Sequence, residues 1–341
     1  MRWTRIGVIA SPAAVGEYFD VMSEMPGVML TDVAFTQKPS RTVVAGPGAR
    51  TFIDGEALVD GCAADVILMG AAIKNADLAA RALKRGRHVI MVAPWHLGVG
   101  QFAQLVDLAR RRGKMLLFSQ PAVWASDIVV ASKAIVLKGQ RPFALRGTLV
   151  VRDAVTVAEL MEQSLALSRM VLGTPPETIS SAGGVRYASM SLFHATGQAA
   201  HFQLSAGETK RERTLTLLSE DHSWRLDLDQ PRRMVSGETS GRVVPLQRVE
   251  SSPLRTPLGL ELAHLMRALK GEEQAVLSHT EVGDIVLAAE AAKRSLLGMG
   301  APIQTAALQP VKDVVRPQLR SIKGGGMGAP EVARPVLTVV S

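Results

Sequence analysis

Short apolar segments alternate with amphipathic ones along the first third of the chain, and no other feature limits its fold as sharply. Strand-like runs fall at 5–10, 28–35, 65–69, 88–92 and 115–119, and helix-like periodicity at 15–25, 75–85 and 100–112. A strand, a crossover helix and a second strand in the same sense build a βαβ unit. The rhythm therefore predicts a doubly wound parallel sheet of Rossmann type, with ligands at the carboxyl ends of its strands.

Beyond about residue 145 the texture changes. Strand-like stretches at 143–152, 185–194, 199–205, 213–219 and 223–228 follow one another mostly without long helices, which predicts an open, mostly antiparallel sheet. Helices are expected at 157–172, 258–269 and 279–297. The whole reads as α/β: a Rossmann domain over 1–125, a C-terminal α/β domain over 126–305 and an extended arm over 306–341, where Gly324-Gly325-Gly326 and several prolines break regular structure. A chain of 341 residues exceeds what one core usually organises, and 47% hydrophobic against 21% charged residues supplies apolar surface for two while excluding a disordered chain.

The single cysteine, Cys62, rules out an intramolecular disulfide framework or a cysteine metal cluster and fits a reducing compartment, so a cytoplasmic protein without a metal is expected. Met1-Arg2-Trp3-Thr4-Arg5 followed by an apolar run has the form of a leader, but Pro12 and Glu17 interrupt it and the same residues read better as a first strand. No apolar run approaches the ~20 residues that span a bilayer. The excess of 39 Lys+Arg over 31 Asp+Glu, a net +8, raises nucleic acid as a partner. Arg110, Arg111, Arg112 and Lys114, however, stand at a predicted helix C-terminus, where cations complement the dipole, and 4% aromatics give no stacking platform, so nucleic acid is not expected.

Several segments carry a family resemblance. Gly86-Arg87-His88-Val89-Ile90-Met91-Val92-Ala93-Pro94 resembles the Gly-Lys-His-Val and Glu-Lys-Pro segment of the Gfo/Idh/MocA oxidoreductases, and Ala64-Asp65-Val66-Ile67-Leu68 resembles the strand before it. Thr256-Pro257-Leu258 through Ala268-Leu269-Lys270-Gly271, then residues 278–295 and Gly298, are similar to the family's closing pair of helices. The resemblance spans about residues 5–303. It implies a Rossmann domain, a second domain whose open sheet often serves dimerisation, and hydride transfer between NAD(P) and a sugar or cyclitol hydroxyl.

The positions that the resemblance makes functional have changed. The phosphate loop wants Gly-x-Gly-x-x-Gly, yet this chain has Ala10-Ser11-Pro12-Ala13-Ala14-Val15, and Pro12 brings a ring and no N–H to where pyrophosphate approaches the backbone. After the second strand, Thr36-Gln37-Lys38 replaces the usual acidic residue, and Lys38 or Arg41 would suit a 2′-phosphate. Ala93 stands for the lysine and Val92 for the glutamate of Glu-Lys-Pro, with Pro94 kept. Counting back from Leu172-Gly173, the family's histidine and aspartate fall on Gln163 and Ala166. The loop from Gly70 through Lys74 to Asn75 lacks the family's Thr-Pro-Asn and histidine.

Other polar residues stand near these positions. His96 follows Trp95 next to the old cleft and is the preferred surviving candidate, with Trp95 and Trp124 as wall residues or core. His194 and His201 flank a turn at Thr196-Gly197 and are not expected to share a metal; His264 reads as a helix-surface residue and His279 as a helix start. Two readings follow. One is a non-catalytic relative that binds NAD(P) weakly or not at all and acts on a small ligand or a protein, pairing through its C-terminal sheet with a second copy or an active relative. The other is an NAD(P)-dependent dehydrogenase using residues such as His96 or Lys74.

Overall fold

The computed structural model describes residues 3–37, 48–70, 76–124, 128, 142–151, 155–209, 211–220, 223–229, 235–237 and 256–308, all within one compact unit, Met1–Leu308. Lys38, Arg41, Lys74 and the arm from residue 309 lie outside the described residues.

The first sheet contains β1 (Thr4–Ala10), β2 (Val28–Phe35), β3 (Arg50–Phe52), β4 (Val66–Met69), β5 (His88–Val92) and β6 (Leu116–Ser119) in the order β3-β2-β1-β4-β5-β6, every pair parallel. This is the doubly wound order, with its switch point between β1 and β4. Its central strands are apolar runs because both faces are covered: β4 is buried at all of its positions, and β1 from Ile6 to Ala10.

Helix α1 (Pro12–Ser23) starts three residues earlier than the periodicity predicts. Ser11 is its N-cap, accepting from the Ala14 N–H, and Pro12 takes the first helical position, where its missing N–H costs nothing. The short α2 (Gly55–Gly61) and strand β3 escaped the sequence reading; α3 (Ala76–Lys84) and α4 (Val99–Arg112) fall where expected, α4 ending on Gly113 at φ 59°.

The second sheet is mixed and mostly antiparallel: β13-β12-β11-β7-β10-β9-β8-β14, with only β7 and β10 parallel. Its strands are β7 (Ala144–Val151), β8 (Pro176–Gly183), β9 (Tyr187–His194), β10 (Ala199–Ala206), β11 (Glu212–Leu218), β12 (Ser223–Asp227), β13 (Val235–Gly237) and β14 (Ile303–Gln304). Alternation puts Leu145, Leu149, Met190, Leu192, Phe202 and Leu204 inside, each side chain of this size contributing roughly 1.5–3 kcal/mol on burial. Gly147 is obligatory among them, since a Cβ there would sit 2.4 Å from Cδ1 of Phe202.

Helices α5 (Val157–Leu172) and α7 (His279–Leu297) cover that inner face, and each begins with a capping box, Thr156 with Glu159 and Ser278 with Glu281. The third late helix, α6 (Pro257–Leu269), does not join them. It lies with α1 on the far face of the first sheet, where Leu262, Leu265 and Met266 share a core with Val15, Tyr18 and Met22. The division drawn near residue 126 thus separates the sheets but not the cores, because residues 257–269 complete the first sheet's packing.

Candidate functional site at the carboxyl edge of the first sheet

β1, β5 and β6 all end at the edge where a doubly wound sheet receives ligands. The turn after β1 is closed on itself. Ala10 is fully buried, its carbonyl accepts from the Thr36 N–H at 3.0 Å, and Gly70 is pressed against it, so that a Cβ on Gly70 would lie 2.7 Å from that of Ala10. In the first turn of α1, Pro12 has no N–H and the Ala14 N–H is taken by Ser11 Oγ at 3.4 Å, which leaves Ala13. Val15 faces the core. A helix N-terminus does point at this edge, but these residues do not form the glycine-lined, multi-amide cradle in which this fold holds a dinucleotide's pyrophosphate.

The turns after β5 and β6 are held from outside. Glu162, on α5, is buried and accepts the N–H groups of Trp95 at 2.5 Å and His96 at 3.4 Å. Burial is the main reason its carboxyl lies above the usual carboxylate range. Glu261, on α6, serves the β6 turn in the same way, accepting from Ser119 Oγ at 2.8 Å, from the Gln120 N–H and from the Trp124 indole. Its burial is deeper, and its carboxyl is pushed up to about 8. Neither carboxylate was foreseen; the signal is a glutamate in the middle of an apolar helix face, Leu160-Met161-Glu162 and Leu260-Glu261-Leu262.

His96 sits between these anchors at φ 52°, a left-handed conformation that costs a residue with a Cβ about 1 kcal/mol. Its Nε2 lies 3.0 Å from Oε1 of Glu159, while Oε2 of Glu159 accepts the Thr156 N–H at 2.6 Å. Trp95 and Trp124 are core, 1% and 5% exposed, and not cleft walls. His264, expected on a helix surface, is instead buried: it bonds Glu273 at 2.6 Å through Nδ1 and accepts the Val276 N–H through Nε2, and desolvation lowers its pKa. His279 is the first residue of α7 and bonds the Leu116 carbonyl. His194 packs inward against Thr174, whereas His201 bonds Ser191 on the open face.

A cavity of about 330 Å³ opens along this edge. Ala93, Pro94 and Gln120 line it from the first sheet, and Glu159, Gln163 and Arg213 from the other side. Three predicted positions, Ala93, Pro94 and Gln163, therefore line one space. Ala166 does not join them, being fully buried within α5. Gln120, Glu159 and Arg213 are polar lining residues that sequence reasoning missed: Arg213, on β11, shares the inward parity of Leu215 and Leu217, and at the strand's end that direction leads into the cleft.

No protein-family profile matches the chain, and no curated protein does. Solved structures do. An oxidoreductase from Agrobacterium radiobacter in complex with NAD+, L-tartaric acid and magnesium superposes with a TM-score of 0.74 at 17% identity, covering 89% of this chain and 99% of that one. The UDP-N-acetylglucosamine 3-dehydrogenase GnnA from Acidithiobacillus ferrooxidans gives 0.71 at 15% identity over 88% and 99%. The biliverdin reductase from Synechocystis sp. PCC 6803, in complex with biliverdin and NADP+, gives 0.70 at 15% over 86% and 99%. At these identities the likeness speaks for the fold alone: the chain, with one parallel and one mixed sheet, has the fold of the Gfo/Idh/MocA-type oxidoreductases.

Proposed function

We propose that this chain uses an oxidoreductase fold to bind a small polar ligand in its cleft without transferring hydride. One observation carries the reading: at the cleft, the groups that would handle a proton are replaced or already engaged. Ala93 and Gln163 cannot titrate, and Glu159 and Glu162 accept backbone N–H groups. The closed turn at Ala10-Ser11-Pro12 points the same way for NAD(P). The open face of the second sheet, with Tyr187 and Phe193 exposed, is the surface proposed for pairing with a second copy or with an active relative.

A second reading, an NAD(P)-dependent dehydrogenase of sugar or cyclitol type, is favoured by His96, whose Nε2 lies 3.0 Å from a Glu159 oxygen beside the cleft, since a histidine near a carboxylate is a serviceable acid–base group. The fold neighbours that carry NAD+ or NADP+ support it too. Titration with NADH and NADPH, followed by fluorescence and thermal unfolding, separates the two, because a ligand that binds only the folded state raises its apparent stability. Absence of a shift at millimolar cofactor is expected. Saturable micromolar binding would replace the first reading with the second.

A further inference from the structure

Resting on the ligand-binding reading above, we infer that the cleft is built for a small hydroxy-carboxylate, with the carboxylate on Arg213 and its hydroxyls on Gln120, Gln163 and Glu159. The cation comes first. Arg213 Nε donates to Asp229 Oδ1 at 2.8 Å and Nη2 to the Leu228 carbonyl at 3.2 Å, which leaves three of its five N–H groups without a partner among the described residues. Its charge is not cancelled either. Arg211 holds the same Asp229 oxygen at 2.7 Å, so two guanidinium groups share one carboxylate and the pair keeps a net positive charge.

The neutral groups come next. Gln120 is 5% exposed, lines the cavity, and its side-chain amide takes no hydrogen bond from the described residues. That amide is directed at the cavity's contents, and the half-buried Gln163 presents a second amide across the space. Together they offer donors and acceptors that suit hydroxyl groups. Glu159, whose Oε2 accepts the Thr156 N–H, can still accept a hydroxyl hydrogen but disfavours added negative charge, so a polyol bearing one singly charged carboxylate fits better than a phosphate ester of nearly double charge. Ala93, Pro94 and Leu228 supply the apolar wall that packs a carbon chain, and about 330 Å³ limits the ligand to a small one.

Isothermal titration of the full chain with D-gluconate and D-glucitol tests this, because the two share a carbon skeleton and differ by one carboxylate. Gluconate is expected to bind at least about tenfold more tightly, the worth of one charge-assisted contact. Arg213→Gln should abolish that preference. Should Arg213→Gln fail to fold, Gln120→Ala, expected to weaken both ligands, and the wild-type ratio still decide. Equal binding of glucitol overturns the acid class while the ligand-binding reading stands. Silence towards both probes overturns the inference, and the separate nicotinamide titration decides the reading beneath it.

Discussion

The turn after β1 and the turns after β5 and β6 leave the same edge of the same sheet, yet they are secured by opposite means. The first is local: Ser11 caps its own helix, Pro12 starts it, and Ala10 fills the space that Gly70 concedes. The other two are tied by Glu162 and Glu261, buried carboxylates borne by helices from much later in the chain. Where the resemblance expects a glycine-rich loop, the chain closes the turn within a few residues. The cleft beside it depends on long-range contacts that a change in either half would disturb.

The sharpest way to break this contrast is at Glu261. Glu261→Ala leaves the Gln120 N–H, the Ser119 hydroxyl and the Trp124 indole without their acceptor in a dry site, and is expected to cost roughly 3 kcal/mol or more in urea unfolding. Glu261→Gln should be far milder at neutral pH, because a carboxyl pushed up to about 8 is mostly protonated there. Since folding raises this pKa, the stability tied to it is complete below the ordinary carboxylate range and lost as the pH rises through about 8. Unfolding curves between pH 5 and pH 9 would show that decline in the wild type, and a Glu261→Gln variant that declines equally would refute the assignment.

The β1 turn should respond through packing instead. Gly70→Ala places a methyl 2.7 Å from Cβ of Ala10, and overpacking of this kind costs about 1–3 kcal/mol. Adding Ala10→Gly should recover most of that loss, a coupling that a double-mutant cycle measures and that independent sites would not show. The smallest effect is expected at the cap. Ser11→Ala removes the acceptor of the Ala14 N–H and should lower stability by about 1 kcal/mol, seen as a shift in the unfolding midpoint with an unchanged slope.

Where local chemistry decides, the sequence could be read. A short apolar run such as Val66-Ile67-Leu68-Met69, set between helical segments, reads as a central strand, and Thr156, Gly173 and Ser278 mark the ends of α5 and the start of α7 to the residue. Pro12 was harder, since a proline after a strand serves a turn or a first helical position equally well and only the Ser11 cap distinguishes them. β3 and β8 were missed because one is a three-residue edge strand and the other, Pro-Glu-Thr-Ile-Ser-Ser-Ala-Gly, is mostly small and polar. The site was less legible still. Ala93 and Gln163 were placed by the family resemblance and do face one cavity, but nothing local announces that Arg213 turns into it, or that His264 is enclosed rather than solvated. Those facts depend on which helix lies against which sheet.

That dependence has a kinetic side. Helix α6 supplies Leu262, Leu265 and Met266 to the layer that α1 begins, so the first sheet's outer core stays unfinished while most of the chain is still being made. A nascent N-terminal half would carry the apolar faces of Val15, Tyr18 and Met22 open to solvent until residues 257–269 emerge, a long loop closure that slows folding and extends exposure to aggregation. The chain therefore matures as one piece, and a fragment ending near residue 125 should be sticky rather than a free-standing domain.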